Sequence, residues 1–224
     1  MLGESRATAS VCTRAADVAR LLPVDPPVTV LPVAWRGPIF EEPPGHERHY
    51  DIVLSGDMRY PPNREAVITL AEEILPRVRA RRPATTALVV GRAASSLTLK
   101  GIDVASDVPD LKEYLRLTRV AVIPLLKGAG SPYKAIEAAA SGAALVATPW
   151  TVDCFGLPAR RASTVEEFSD EIVSLLEDEG SRRRLAAEAL PIVQRHSTNA
   201  IGRRLEDLLL EVADYPFSKQ RTLA

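Results

Sequence analysis

The chain has 224 residues, 46% hydrophobic and 25% charged, which is enough for one large or two small cores and argues against disorder on a large scale. Its 28 lysines and arginines nearly cancel 29 aspartates and glutamates, and the pI is near 6.3, so there is no global basic field to gather nucleic acid. No apolar run reaches the ~20 residues that span a bilayer, and the first residues lack the apolar core of a secretory signal. The expectation is a cytoplasmic protein with no transmembrane segment and no nucleic-acid partner.

In chain order, SVCT (10–13) predicts a short strand, 14–21 a helix and VTVL (28–31) a second strand. Residues 32–50 are rich in Pro and Gly, lack periodicity and read as a linker. From Tyr50 the alternation becomes regular: strand DIVLS, a helix over 64–82, strand ALVVG, strand IDVA, and a helix over 110–118. In the long helix Ala66, Leu70, Ile74 and Val78 recur at near-helical spacing, and Pro76 predicts a kink. After Thr148 an irregular loop runs through Cys154 and Pro158, and helices follow over 164–177, 181–195 and 199–213. Thr164 and Glu167 have capping-box spacing. The tail from Asp214 reads as mobile. Strands alternating with helices at this spacing call for an α/β fold, a Rossmann-like parallel sheet with helices on both faces.

Two arginine-rich runs, RVRARRP (77–83) and SRRRL (181–185), read as solvated helix faces. Cys12 and Cys154, with His46, His49 and His196, have no metal-ligand spacing, so no metal site is expected.

The chemistry concentrates in VAVIPLLKGAGSPYKAIEAAASGAALVAT (120–148), which lays strand, glycine loop, helix and strand end to end. Val120, Val122 and Ile123 suit a strand buried on both faces. Gly128 and Gly130 allow positive φ and close approach of a ligand, and the helix behind them would present free N–H groups to an anion. The same pattern occurs in any doubly wound sheet, so from these residues alone anion binding and plain βα-turn chemistry both stay open.

Four segments in register resemble the nucleotide-sugar-binding, C-terminal half of GT-B glycosyltransferases, in particular the group 1 (family 4) retaining enzymes. LSGDMRYPPN (54–63) is similar to a G-x-M-x-x-P-P-N loop, and ALVVGRAAS (87–95) to a strand ending in V-G-R. VASDVPDLKEYL (104–115) resembles the segment around the base-binding turn, and GAGSPYKAIEAAASGAALVAT (128–148) the family's glycine loop and E-A-M-A-x-G helix. The resemblance runs from about residue 10 to 213. It implies transfer of a sugar from a nucleoside diphosphate donor to a hydroxyl with retention, of hexosyltransferase type, with no cofactor and no bound metal.

The resemblance also implies the site. Glu137 would accept the ribose hydroxyls and Lys134 would bring a movable positive charge to the diphosphate; these two are the candidate catalytic residues. Gly56, Gly91, Gly128, Gly130 and Ser131 would bring backbone to the donor, Val108 and Pro109 would meet the base, and Arg59 and Arg92 would add charge. Residues 1–49 are expected to be a remnant of an acceptor domain and linker, 50–213 the donor domain and 214–224 a tail.

The chain departs from the family in several places. Asp57 stands where an Arg is usual after the glycine, Ala129 where the first Glu of the E-x7-E motif falls, and Pro132 where an Arg precedes the helix. Three readings stay open: a donor domain whose acceptor half is on another chain, a non-catalytic nucleotide-sugar-binding module, and a domain kept for protein contact. The apolar residues Ile201, Leu205, Leu208, Leu209 and Val212 form a wide stripe, expected to pack partly on residues 10–31. The remainder, beside Trp35, would receive a partner chain or a second copy.

Overall fold

The computed structural model describes residues 10–13, 18, 28–40, 47–127 and 131–213. The chain divides into two compact units, Gly37–Gln194 and Met1–Arg36 with Arg195–Ala224. This differs from the division expected at residue 50, because the last helix belongs with the N-terminal strands.

In the smaller unit β1 (Ser10–Cys12) pairs in parallel with β2 (Val28–Val30), Val11 lying opposite Thr29. Both strands stand where predicted. Of the helix predicted over 14–21 only Val18 is described, and it is helical.

The larger unit is built on a six-stranded parallel sheet. Its strands are β3 (Tyr50–Ser55), β4 (Ala87–Gly91), β5 (Asp103–Ser106), β6 (Thr118–Ile123), β7 (Ala144–Ala147) and β8 (Arg160–Arg161), in spatial order β5-β4-β3-β6-β7-β8. Counted from β3, that is the 3-2-1-4-5-6 order of the doubly wound nucleotide-binding fold, and chain direction across the sheet reverses between β3 and β6. Ile52, Val53, Leu54, Val120, Val122 and Val146 are almost wholly buried, as apolar strands covered on both faces must be. Burying each such side chain stabilises by roughly 1.5–3 kcal/mol.

The helix predicted over 64–82 is longer and interrupted. It runs as α1 (Pro61–Thr69), a π turn (Leu70–Ile74) and α2 (Leu75–Arg81). Pro76 has no N–H to donate and its ring would crowd the carbonyl four residues back, and the wider turn ahead of it relieves both problems. The buried stripe persists through Ala66, Leu70, Ile74 and Val78.

Next come α3 (Leu111–Arg116), α4 (Tyr133–Ala140), α5 (Pro149–Asp153), α6 (Val165–Glu177) and α7 (Glu179–Arg195). The capping box is present: Glu167 N–H donates to Thr164 Oγ1, and Glu167 Oε2 accepts from Thr164 N–H and from Ser163 N–H. The loop expected after Thr148 is more ordered than its composition suggests, since it holds α5 and the edge strand β8.

The smaller unit ends in α8 (Thr198–Ala213), whose Arg204 donates through Nη2 to the Val30 carbonyl at 3.0 Å. Residues 32–36 are not a free linker. Trp35 N–H donates to the His196 carbonyl, its own carbonyl accepts from Thr198 N–H and Oγ1, and its side chain is only 3% exposed. Trp35 therefore offers no docking surface. Along α8, Ile201 is buried, whereas Leu205, Leu209 and Leu210 are exposed. The tail from residue 214 lies outside the described residues.

Candidate functional site

The carboxyl ends of β3 and β6 flank the switch point of the sheet, where open α/β folds hold their ligands. From β3 the chain passes Gly56, Asp57, the buried Met58 and Arg59 before α1 begins at Pro61 and Pro62. Proline is suited to those first helical positions, where the missing N–H costs nothing, and Tyr60 before them takes the extended conformation that proline requires.

Two glycines bring neighbouring loops into backbone contact. A Cβ on Gly91 would stand 2.0 Å from the Gly56 carbonyl oxygen, and one on Gly56 would stand 2.8 Å from Asn63 Nδ2 and 3.0 Å from Lys134 Nζ. Hydrogen bonds fasten the same loops: Gly56 N–H to the Val90 carbonyl, and Met58 N–H to the Arg92 carbonyl. Ala93 and Asp107 both hold φ of 54°, in the left-handed region. Asp107 is fixed there by its N–H to the Gly91 carbonyl and by its carboxylate, which accepts from Ala93 N–H and Ser106 Oγ. Strained backbone of this kind gathers at binding sites because the fold must over-determine it.

Lys134 lies in the first turn of α4, and its Nζ donates to Asn63 Oδ1 at 2.5 Å. Asn63 is buried, and its Nδ2 donates to the Asp57 carbonyl at 2.9 Å. Burial pushes the Lys134 ammonium down to about 8, with Glu137 opposing. One turn further along α4, Glu137 is half-buried and its carboxyl is pushed up, first by burial and then by Asp110, with Lys112 and Lys134 opposing. Asp110 caps α3 by accepting from Lys112 N–H at 2.9 Å. The turn through Val108 and Pro109 thus leads straight into the charges that surround Glu137. Small residues explain the close seating of α4: Ala135, Ala138, Ala139 and Ala140 are all buried.

The other expected residues are disposed as follows. Arg59 is exposed and its guanidinium forms a two-pronged pair with Asp57, Nε to Oδ1 at 2.9 Å and Nη2 to Oδ2 at 2.5 Å. That pairing holds the Asp57 carboxyl at about 2. Arg92 is exposed on the loop after β4, and Ser131 is half-buried ahead of α4. Gly128 and Gly130 lie outside the described residues. The stem of their loop is fixed, because the Leu125 carbonyl accepts from Thr148 Oγ1 at 3.0 Å and from Trp150 Nε1 at 2.8 Å. Among the described residues no group of His, Cys, Asp and Glu could hold a metal ion, and no helix is long and apolar enough to cross a membrane. Asn63 is the residue that sequence reasoning missed, although it closes the segment LSGDMRYPPN.

A family model described as glycosyl transferases group 1 matches residues 49–178, more than half of the chain. The chain belongs to this family. A comparison with curated proteins found no match. Solved structures give the fold. A pneumococcal O-GlcNAc transferase, GtfA, in complex with UDP and GlcNAc matches with TM-score 0.72 at 14% identity, over 92% of this chain and 46% of that one. Anabaena HepE, in complex with UDP and glucose, matches with TM-score 0.71 at 14% identity, over 92% of this chain and 64% of that one. TarM of S. aureus matches with TM-score 0.68 at 16% identity, over 90% of this chain and 43% of that one. The chain spans less than two thirds of each of these proteins. Its larger unit is a Rossmann-like body of the GT-B type.

Proposed function

We propose that this chain is the donor-binding half of a retaining hexosyltransferase, which takes a sugar from a nucleoside diphosphate and works with an acceptor-binding body supplied elsewhere. The observation that carries the reading is the placement of Lys134 and Glu137 one turn apart on α4, beside the β3/β6 switch point. Family membership and the UDP complexes of GtfA and HepE support it.

In this reading Glu137 accepts the ribose hydroxyls. Lys134 leaves Asn63 to meet the diphosphate, whose growing negative charge on departure it stabilises. The backbone N–H of Ser131, ahead of α4, adds a donor to the cradle, and the turn at Val108 and Pro109 faces the base. The chemistry needs no metal, because the cations and helix N-terminus carry the leaving group's charge.

A thermal-shift screen against UDP-, GDP- and dTDP-sugars tests the donor. Stabilisation by one base series and not the others supports the assignment, and no shift with any of them defeats it. A second reading, a nucleotide-sugar-binding module without transfer, is favoured by one observation. The Arg59 guanidinium is engaged by Asp57, where the family usually places a second cation. Mass spectrometry of acceptor after mixing the chain with an acceptor-binding partner separates the two readings.

A further inference from the structure

Asn63 sits between two groups that its amide can serve in one orientation only. It is 6% exposed in the first turn of α1, where its backbone N–H donates to the Tyr60 carbonyl at 3.0 Å. Its Nδ2 donates to the Asp57 carbonyl at 2.9 Å, and its Oδ1 accepts from Lys134 Nζ at 2.5 Å. A carbonyl only accepts and an ammonium only donates, so the backbone of the β3–α1 loop fixes which end of the amide meets the lysine. A leucine of similar size would serve neither group. An aspartate would lose the donor to Asp57 and set a full charge against the ammonium.

The contact is close on every side. A Cβ on Gly56 would stand 2.8 Å from Asn63 Nδ2 and 3.0 Å from Lys134 Nζ, so the glycine after β3 makes the room in which amide and ammonium meet. Of the charged groups around them, Glu137 acts on Lys134 from one turn further along α4, and Asp110 and Lys112 act in turn on Glu137. The Asp57 carboxylate, on the loop that carries Asn63, is taken by Arg59. An amide oxygen orders a flexible lysine chain before any ligand arrives, which lessens the entropy lost on binding. Being neutral, it yields the ammonium to a diphosphate more readily than a carboxylate would.

We propose that Asn63 is a positioning residue for the donor: its amide is a neutral dock that holds the Lys134 ammonium at the β3/β6 switch point until the diphosphate takes it. This rests on the donor-binding reading of the crevice and adds to it a residue that acts through Lys134 alone.

The test is the titration of Lys134 itself, followed through its ε-methylene NMR resonances in the whole chain without nucleotide. In the wild type the midpoint is expected at about 8. Asn63→Asp should raise it toward the ordinary 10.5, because a carboxylate favours the ammonium, and Asn63→Leu should lower it, because the buried charge loses its acceptor. Opposite displacements are the mark of action through Lys134; a residue that only supports the fold would move both variants alike or neither. UDP calorimetry at pH 7 reads the consequence, about ten-fold weaker binding in each variant. The deficit of Asn63→Leu relative to the wild type should narrow at pH 6, where its ammonium is restored. If the variants do not fold, the wild type still decides: the Asn63 Nδ2 protons and the Lys134 ε-methylene should shift on UDP addition with one dissociation constant. Midpoints that stay put or move the same way, UDP affinity unchanged in both variants, or UDP binding that shifts neither side chain would overturn the role. A wild type that binds no UDP would bring down the donor reading and this role with it. The two failures are told apart because the midpoints are read without nucleotide.

Discussion

Lys134 Nζ donates to Asn63 Oδ1 at 2.5 Å, tying the first turn of α4 to the first turn of α1 beside the β3/β6 switch point of the sheet. An amide oxygen is a neutral partner, so the ammonium stays under-compensated in a half-buried site and its proton affinity falls to about 8. A lysine so placed is poised for an anion rather than satisfied by the fold.

Lys134→Met should therefore stabilise the chain at neutral pH while weakening donor binding. Between about 8 folded and 10.5 unfolded, the unfolded chain binds the extra proton, so the wild type gains stability as pH rises through that window and is handicapped below it. The substitution should remove the handicap, roughly 1–3 kcal/mol at pH 7 after allowance for partial exposure. Denaturant unfolding at pH 7 and pH 10 measures it, and the gain should shrink at the higher pH. UDP affinity, which needs the ammonium, should fall in the wild type as pH rises through about 8 and become flat in the variant.

Gly91→Ala should cost about 2–4 kcal/mol or prevent folding, because the new Cβ would stand 2.0 Å from the Gly56 carbonyl oxygen. Thermal unfolding reads this directly. A melting temperature equal to the wild type would mean that the two loops do not touch.

Asp57→Asn should tighten UDP binding several-fold with the melting temperature unchanged. It frees the exposed Arg59 guanidinium from its paired carboxylate, and exposed ion pairs contribute little to stability. Calorimetry on the two proteins checks the direction; weaker binding would assign Asp57 itself to the donor.

The strands of the sheet were legible because parallel strands buried on both faces carry their own signature, continuous β-branched runs such as DIVLS and VAVI. Helix bounds were legible where caps are local, as at Thr164 and Asp110. What was not legible depended on distant partners. Trp35 sits in a Pro/Gly-rich segment with no periodicity, and only its pairing with His196 and Thr198 makes it structure. The short α5 and β8 have too few residues for a period. The π turn follows from Pro76, but a kink and a wide turn answer the same sequence signal. Glu137 and Lys134 were named from the resemblance of their segment to the family's glycine loop and E-A-M-A-x-G helix, and the structure sets both on α4. Asn63 was not, because nothing in its sequence neighbourhood announces a lysine 71 positions away.

The most direct measurement is isothermal calorimetry of UDP titrated into the wild-type chain and into Glu137→Ala. Loss of charge-assisted hydrogen bonds to the ribose should weaken binding by roughly 1.5–3 kcal/mol, about ten- to a hundred-fold, with the melting temperature unchanged. Equal affinity in the two proteins, or no UDP binding by the wild type, would contradict the assignment of Glu137 and of the β3/β6 crevice to the donor.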